Sequence, residues 1–527
     1  MQQRSYCLCI RLASVLATAL AALPPAAASR PAAPSGLERY VARVLATFEV
    51  PGAGVAIVKD GQLVLARGYG IRKQGDPTRI DARTLFGIAS NTKAFTATAL
   101  GILVEEGKIE WDAPVVRYLP WFALADPYVT RELTVRDLLV HRSGLGLGAG
   151  DLLWWPPSTY DRKEIARRLR YVPLVTSFRS TYAYDNVLYV VAGEVIEAVS
   201  GSTWEGFVQT RILEPAGMTG SSVSWSSVQG GNVATPHARI AGTLQPVEPF
   251  ASDNTNPAGG IQSNAEDMAK WMIVQLDSGR VAGGRRIFSP QTTRELWAPV
   301  TITPIGEPPR ELPALRRNFS GYALGFGVND YRGRKIITHT GGLPGYLSRV
   351  TLVPDLRLGV AVLTNQESAG AYNALTYRIL DHYLGASDTD WLAGYAELRR
   401  RAEARAKQQV PAPRDSTSGP SLPLEKYAGS YVDAWYGDVA IAFEAGRLVM
   451  RFAHTPALVG DLEHWQHDTF VARWRDRTLR ADAFVTFALK PDGGIDQVKM
   501  QAVSSEIDFS YDFQDLLLKP QPAEMKP

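Results

Sequence analysis

The stretch FGIASNTKAFTATALGILVEEGK, residues 86–108, decides the fold, because an apolar run gives way in it to a helical pattern. The apolar side chains after the run recur at helical spacing: Phe95, Ala99, Ile102 and Leu103. Gly107 is placed to end this helix. Ser90 and Lys93 stand one helical turn apart where the helix begins, so we expect both side chains on one face.

A serine at a helix N-terminus is suited to acyl transfer. Free backbone N–H groups and the positive end of the helix dipole can stabilise an oxyanion that forms beside Ser90. Lys93 has small and aromatic neighbours, and burial among them would lower the pKa of its amine towards neutrality. Two simpler interpretations stay open: Ser90 is a helix N-cap, and Lys93 is a solvated surface lysine.

Two further motifs occur once each, far along the chain. They are Tyr-Asp-Asn at 184–186 and His-Thr-Gly at 339–341. A Ser-x-x-Lys match alone would be weak, because on the order of one or two arise by chance in a chain of this length. The three motifs in this order resemble the signature of the serine β-lactamase and penicillin-binding-protein superfamily.

The resemblance is closest to the branch of class C β-lactamases, esterases and D-aminopeptidases. It extends over residues 37–385 and is supported by LLVHRSGL at 138–145 and PAGGIQSNAEDMAKWM at 257–272. It implies a mixed α/β (α+β) fold, in which helices flank an antiparallel sheet and a helical lobe is inserted between two groups of strands.

The resemblance also assigns roles to residues. Ser90 would be the nucleophile, while Lys93 and Tyr184 would move the protons. The backbone N–H groups of Ser90 and Gly342 would hold the oxyanion, and Asn186 would position substrate. The pattern itself leaves alternatives open, because an apolar helix follows this tyrosine: Asn186 is a plausible N-cap for that helix, and Tyr184 could be ordinary core packing.

His339, Thr340, Gly341 and Gly342 would form a substrate-binding strand beside the cleft. The β-lactamases and transpeptidases of the family usually carry lysine in place of this histidine, whereas its esterases and D-amino-acid peptidases more often carry histidine. Histidine is mostly neutral at pH 7, so we expect poor hydrolysis of carboxylate-bearing β-lactams. A glycine-rich turn at a strand end is the alternative interpretation.

Other candidate residues carry less information. His464 and His467 have a spacing compatible with metal binding, but no third ligand is evident nearby and a surface turn explains them better. Trp154 and Trp155 could line an acyl pocket or pack the lobe. His141 is expected to organise the cleft wall. No HExxH, P-loop or dinucleotide-binding motif occurs, so we predict that no cofactor or metal is used.

Composition indicates a soluble globular protein. The 527 residues are 45% hydrophobic and 21% charged, enough for a sizeable core. This length favours one large domain plus an accessory domain. With 56 basic and 53 acidic residues the net charge is +3, and no basic block is interleaved with aromatics. Nucleic acid is therefore not expected as a partner.

The first residues predict an export signal. A positive segment with Arg4 and Arg11 precedes an apolar stretch at 12–23 and an Ala-Ala-Ala cleavage site, giving a signal peptide over 1–28. Both cysteines, Cys7 and Cys9, would be removed with it, which excludes disulfides and a thiol nucleophile from the mature chain. We expect a periplasmic or secreted protein without a stable membrane anchor. A buried N-terminal helix is the alternative.

Residues 29–36 are predicted to be a linker and 37–390 the hydrolase domain. Two alternating apolar runs joined by Asp60-Gly61 predict a β-hairpin near its start, and 334–366 predicts three more strands. A helix near 374–384 should pack back on this sheet. The segment 391–423 combines a charged helix with a linker rich in proline and serine.

The final domain, 424–527, has short alternating strands separated by turns. The strand-like segments lie at 424–432, 437–453, 469–474, 483–502 and 504–513. They predict a small antiparallel β-barrel or sandwich. By pattern and position it resembles the lipocalin-like C-terminal modules that some members of the superfamily carry.

The resulting hypothesis is an exported serine hydrolase that cleaves small esters or peptide-like amides through an acyl-enzyme on Ser90. One alternative is a β-lactamase or D-Ala-D-Ala carboxypeptidase. Another is a non-catalytic protein whose barrel binds an apolar ligand. The acyl and leaving groups, the oligomeric state and the role of the C-terminal domain are left open by the sequence.

Overall fold

An antiparallel sheet lies at the centre of the hydrolase region in a computed structural model, which describes residues 32–408, 414–415 and 417–521. The predicted signal peptide lies outside the described residues, as does the beginning of the linker after it. Described residues from Ala33 onward belong to one compact unit, so the hydrolase region and the C-terminal region contact each other directly.

The strands of the hydrolase region are β1 (Gly52–Lys59), β2 (Gln62–Lys73), β3 (Asp76–Arg79), β4 (Phe86–Gly87), β5 (His237–Ile240), β6 (Thr243–Pro246), β7 (Gln262–Ser263), β8 (Thr301–Ile302), β9 (Ser320–Tyr322), β10 (Gly327–Tyr331), β11 (Arg334–Leu343), β12 (Tyr346–Val353) and β13 (Leu358–Thr364). Nine of them form the central sheet in the order β3-β2-β1-β13-β12-β11-β10-β9-β8. The first and last strand groups of the region therefore meet at the β1–β13 pair, as predicted from the sequence.

The helices are α1 (Leu37–Phe48), α2 (Thr92–Glu105), α3 (Pro127–Glu132), α4 (Arg162–Arg168), α5 (Val187–Ser200), α6 (Trp204–Val208), α7 (Asn256–Gly259), α8 (Ala265–Leu276), α9 (Pro290–Leu296), α10 (Ala369–Leu384) and α11 (Trp391–Gln408). The elements between β4 and β8 are mostly helices and supply the inserted helical region, although one of them, α8, packs directly on β1, β2 and β13. The helix expected near 374–384 is α10, and the charged segment after it forms α11.

The central strands are buried on both faces. In β1, Val55 and Ile57 belong to the core under α1 and α10, whereas Ala56 and Val58 belong to the core shared with the helical lobe. This alternation follows from the two-residue period of a strand. The β1–β2 turn is the predicted hairpin, in which Asp60 and Gly61 both adopt the positive φ angles that a tight two-residue turn requires.

The C-terminal region is a closed antiparallel barrel of eight strands, so the predicted barrel is confirmed. Its strands are β14 (Gly429–Asp433), β15 (Gly437–Glu444), β16 (Arg447–Phe452), β17 (Val459–Gln466), β18 (Thr469–Trp474), β19 (Ala483–Leu489), β20 (Ile495–Ala502) and β21 (Leu517–Pro520). Buried aromatic rings in mutual contact occupy this region, among them Tyr427, Phe470 and Phe487. Among the described residues, no helix is both long and apolar enough to cross a membrane.

One sequence prediction for the barrel is wrong and another is right only in part. The segment 504–513, expected to be a strand, lies in an irregular loop between β20 and β21 that we call the barrel loop (residues 503–516). Side chains in this loop bond to nearby backbone, as Asp508 does in accepting from the N–H of Ser510 at 2.9 Å, and such bonds compete with strand pairing. The surface-turn interpretation of HWQH is right for His467, which lies in the exposed turn after β17, and wrong for His464, which lies in β17.

Candidate active site

Ser90 lies in a short 3₁₀ turn, Ala89–Asn91, between β4 and α2. Ala89 has a φ of 49°, a left-handed conformation that costs energy for a residue with a side chain and that surrounding structure must hold. Strand β11 packs directly against this turn: a Cβ added to Gly341 would lie 2.1 Å from the carbonyl oxygen of Ile88. Gly341 therefore permits the close approach that brings β11 beside the serine.

Lys93 is completely buried, which contradicts the surface-lysine alternative. Its Nζ donates to the Oδ1 of Asn186 at 2.7 Å and to the carbonyl oxygen of Ala258 at 3.0 Å. It also hydrogen-bonds with the Oγ of Ser90 at 3.1 Å, donating when the amine is charged and accepting from the hydroxyl when it is neutral. Burial lowers the pKa of the amine to about 7, against the opposing effect of nearby carboxylates. A substantial fraction of Lys93 is therefore neutral at pH 7 and able to accept a proton.

Tyr184 lies next to the same lysine. Its side chain lines the same cavity as Ser90, and its ring centroid lies 5.0 Å from the Nζ of Lys93. Burial raises the pKa of this phenol well above its usual value, so Tyr184 holds its proton at neutral pH. Its ring also packs 4.3 Å from that of His141. Core packing and a place in the cavity thus coexist in one side chain.

Asn186 stands at the N-cap position of α5 without capping it. Its side chain instead lies between two buried groups, because its Oδ1 accepts from Lys93 and its Nδ2 donates to the Oδ2 of Asp151 at 2.8 Å. The N-cap interpretation is therefore right for the position and wrong for the side chain. Both polar ends of Asn186 are occupied by protein, which favours a role in orienting the lysine.

His339 lines the cleft as a neutral ring. Its Nδ1 donates to the carbonyl oxygen of Thr340 at 2.6 Å, so its Nε2 is the acceptor for the hydroxyl of Tyr322 at 2.7 Å. Burial, reinforced by the charge of Lys93, lowers the pKa of His339 to about 3. This histidine is therefore not a cation for a substrate carboxylate. Thr340 and Gly342 line the cavity beside it.

A cavity of about 310 Å³ opens beside Ser90. Its aromatic lining comes from separate parts of the chain: Trp154, Trp155, Trp225, Phe250 and Phe509. The rings of Trp155 and Phe250 lie 4.5 Å apart, and the indole N–H of Trp154 donates to Asp151 at 3.0 Å. The two tryptophans thus both line the pocket and pack the lobe, which joins the two interpretations that the sequence left open.

His141 is buried behind Tyr184. Its Nδ1 accepts from the backbone N–H of Asp185 at 3.2 Å, while its Nε2 has no hydrogen-bond partner in the described part of the chain. Burial lowers the pKa of this histidine, so it packs as a neutral ring against the tyrosine. This placement agrees with the expected organising role in the cleft wall.

The two histidines of HWQH lie in the barrel, and His464 Nε2 is 2.9 Å from the carbonyl oxygen of His467. Across the described residues, no group of three or more His, Cys, Asp or Glu side chains is arranged to hold a metal ion.

Sequence analysis missed three residues that meet at the site. Asp151 is bonded to Asn186, and Ser510 and Asp512 reach the same turn from the barrel loop. Asp151 follows a glycine-rich loop and belongs to no recognised motif. The serine and aspartate belong to a segment whose alternating pattern predicted a strand, so no local signal in the sequence marked them.

Residues 37–384 match the Beta-lactamase family. The chain belongs to this family. Residues 413–520, which include the barrel, match a domain of unknown function (DUF3471). The fold class and the family predicted from the three motifs are confirmed.

Relatives of this Beta-lactamase family member include enzymes and penicillin-binding proteins. Unguisins hydrolase ungD of Aspergillus violaceofuscus is 29% identical over 490 residues, covering 86% of each chain. Unguisins hydrolase ungD' of Aspergillus campestris is 30% identical over 433 residues, covering 77% of each. Penicillin-binding protein 4 of Amycolatopsis lactamdurans is 27% identical, over 66% of this chain and 90% of its own.

Solved structures share the fold. The octameric penicillin-binding protein homologue from Pyrococcus abyssi matches with a TM-score of 0.58 at 23% identity, over 92% of this chain and 98% of that one. A D-stereospecific amidohydrolase from Streptomyces sp. matches with a TM-score of 0.53 at 24% identity, over 65% of this chain and 97% of that one. The protein is thus a serine hydrolase of the Beta-lactamase family, with a C-terminal β-barrel.

Proposed function

We propose that this hydrolase cleaves esters or peptide-like amides through an acyl-enzyme on Ser90. The observation that carries the proposal is the contact between Lys93 and the serine: the buried amine lies 3.1 Å from the hydroxyl and its pKa is lowered to about 7. A neutral amine at hydrogen-bond distance from a hydroxyl is the arrangement that activates a serine nucleophile.

The contacts around Ser90 define a proton path. Lys93 takes the hydroxyl proton as the serine oxygen bonds to the substrate carbonyl carbon. The neutral phenol of Tyr184 gives its proton to the leaving oxygen or nitrogen as that bond breaks. In deacylation the attacking water returns a proton to the phenolate, and Lys93 returns one to the departing serine oxygen. The backbone N–H groups of Ser90 and Gly342 stabilise the oxyanion in both steps.

The lining of the cavity supports an apolar acyl group. Its described lining includes six Trp, Tyr and Phe side chains, and the charged side chains among it are acidic, Asp253 and Asp508. With His339 neutral, a substrate carboxylate would find no cation there. The names of the unguisins hydrolases add support for amide hydrolysis. We therefore rank uncharged apolar esters and amides above carboxylate-bearing β-lactams.

The test compares Ser90→Ala with Ser202→Ala, which replaces an exposed serine in the turn after α5. Ser90→Ala is expected to abolish turnover across a panel of p-nitrophenyl esters and D-peptide amides, and to abolish labelling by a fluorophosphonate probe. Ser202→Ala should match the unmodified protein in both assays. Undiminished turnover by Ser90→Ala on a preferred substrate would end the proposal.

The β-lactamase or D-Ala-D-Ala carboxypeptidase alternative remains, because the family and a penicillin-binding relative favour it. Measuring kcat/KM on nitrocefin and on a short-chain p-nitrophenyl ester separates the two. A clear preference for nitrocefin would reverse the ranking. A protein that binds ligand without any acyl-enzyme mass shift, from any probe of the panel, would instead support the non-catalytic alternative.

The proposal includes export to the periplasm or the medium, which the predicted signal peptide supports. The exported protein would act on small-molecule or peptide substrates, without a cofactor, a nucleic-acid partner or a stable membrane anchor. N-terminal sequencing of protein purified from its native source should begin near residue 29. An intact N-terminus on that protein would contradict export by cleavage.

A further inference from the structure

The barrel loop reaches the turn that carries Asp151. The Oγ of Ser510 donates to the Oδ2 of Asp151 at 2.9 Å. Asp512 binds the backbone of the same turn, accepting from the N–H of Gly150 at 2.6 Å and from that of Leu152 at 3.0 Å. All of these groups are buried, so their hydrogen bonds are shielded from water. The barrel loop therefore binds both the side chain of Asp151 and the backbone of the turn around it.

Asp151 connects these barrel-loop contacts to Ser90 through a chain of hydrogen bonds. Its Oδ2 accepts from the Nδ2 of Asn186, and the Oδ1 of that asparagine accepts from the Nζ of Lys93, which in turn contacts Ser90. A carboxylate only accepts hydrogen bonds, and the bonds of Lys93 to the carbonyl oxygens of Asn186 and Ala258 use its N–H donors whether the amine is charged or neutral. Asp151 therefore fixes which end of the Asn186 amide faces the lysine, and a flipped amide would point two donors at each other.

We propose that Asp151 is a positioning residue for Lys93, acting through Asn186, and that Ser510 of the barrel holds Asp151 in place. The C-terminal domain would then complete the catalytic centre of the hydrolase domain. This inference rests on the proposed acyl-enzyme function and adds to it a role for the second domain.

The charges of Asp151 and Lys93 also support a connection between these two residues. The carboxylate of Asp151 raises the pKa of Lys93, against the larger lowering by burial. Burial raises the pKa of Asp151 to about 7, while its bonds to Asn186, Ser510 and Trp154 oppose that rise. The two groups therefore titrate as a coupled pair near neutral pH. Other ionisable groups that act on this network are Tyr184, Asp185, Asp512, His141 and His339.

The sign of the pH effect follows from these charges. Catalysis needs Lys93 neutral, so activity falls on the acidic side as the amine becomes protonated. Asp151→Asn removes the negative charge that raises the pKa of the lysine, so the acidic limb should move to lower pH. Ser510→Ala removes a donor to Asp151, raises the pKa of that carboxyl, and should move the limb in the same direction by less.

The experiment measures kcat, KM and the pH profile of kcat for full-length variants on one ester substrate. We expect Asp151→Asn to lower kcat by roughly ten- to hundredfold, because misplacing a catalytic group costs about that much. Ser510→Ala should lower it by roughly two- to tenfold, the worth of one hydrogen bond. For Asp151→Asn, KM should stay within about twofold, since Asp151 does not line the cavity. Ser510 does line it, so for Ser510→Ala the readout is the pH profile of kcat rather than KM.

Ser505→Ala is the matched control, because Ser505 is an exposed serine in the same loop. It should behave as the unmodified protein, and Ser510→Thr, which keeps the hydroxyl, should recover much of the lost kcat. Thermal midpoints and fluorophosphonate labelling show that each variant is folded and still acylated.

An unchanged kcat and pH profile in Ser510→Ala would overturn the role of the barrel. A lower kcat without a shift of the acidic limb, matched by a lower thermal midpoint, would show a structural role alone and also overturn it. Neither result touches the proposed function, which fails separately if the unmodified protein is not labelled at Ser90.

Discussion

The turn that carries Ser90 (Ala89–Asn91, the nucleophile turn) and the barrel loop contribute to one site. Only the first of them is marked by a motif in the sequence. Ser90 and Lys93 lie three residues apart, in a 3₁₀ turn and in the helix α2 that directly follows it, so their relation is visible in the chain as a motif. Ser510 and Asp512 act on a turn in another domain, and their partners follow from the docking of the barrel. Groups that act together from one short segment leave a pattern, whereas groups that act across an interface leave none.

The largest effect on kcat is expected from a change in the Ser90–Lys93 motif. Lys93→Met keeps an unbranched side chain of similar length and removes the amine, so the serine loses its proton acceptor. We expect kcat to fall by about 10²- to 10⁴-fold, the usual contribution of general-base catalysis. Steady-state kinetics on the preferred ester would measure it, with a thermal melt to confirm folding. Activity within about threefold of the unmodified protein would remove Lys93 from the mechanism.

A smaller loss should follow from displacing the nucleophile turn. Gly341→Ala would place a methyl group 2.1 Å from the carbonyl oxygen of Ile88, so the backbone before Ser90 must move. We expect kcat to fall by about a hundredfold, since a shift near 1 Å at a catalytic group costs that much.

Gly327→Ala is the matched comparison, because Gly327 lies in the neighbouring strand β10, does not line the cavity, and its added methyl would come no closer than 3.4 Å to Thr338. The fall in kcat of this variant should be clearly smaller than that of Gly341→Ala. Equal losses in the two variants would mean that the close approach of β11 is not what places the serine.

The smallest effect on chemistry, with the largest on stability, should come from the barrel loop. Asp512→Ala leaves the buried N–H groups of Gly150 and Leu152 without their acceptor, at a cost of about 1–3 kcal/mol each. We expect a lower free energy of unfolding in urea and a fall in kcat of about tenfold, from a looser Asp151.

Asp515→Ala is the control for that measurement, because it changes an aspartate at the end of the same loop. It should leave kcat unchanged. If Asp512→Ala reduced kcat as much as Lys93→Met does, the barrel would take a direct part in catalysis and the contrast between the two regions would disappear.

Much of the site was predictable because its parts are short and local. The spacing of Ser90 and Lys93 set their common location, and apolar neighbours predicted the burial that lowers the pKa of the lysine. For Asn186, the apolar pattern predicted the helix start but not the direction of the side chain. An asparagine at this position can either cap the helix or bridge two buried groups. The burial of Lys93 and Asp151 beside it decides in favour of the bridge.

Strand periodicity was reliable in the sheet and misleading in the barrel loop. In β1 and β13 the apolar residues face two cores, and that burial fixes the strand register. In the segment 504–513 the same alternation of side chains occurs without strand partners. Its acidic and hydroxyl groups bond to the loop itself and to the hydrolase domain instead.

The sequence by itself determined the family, the antiparallel sheet and the barrel, and it predicted the nucleophile, because each depends on strand periodicity or on short motifs. Tertiary structure alone decided that Asp151 supports Asn186 and that the barrel supports Asp151. Those bonds join side chains whose separation is fixed by the packing of two domains, and no local spacing in a chain encodes that distance.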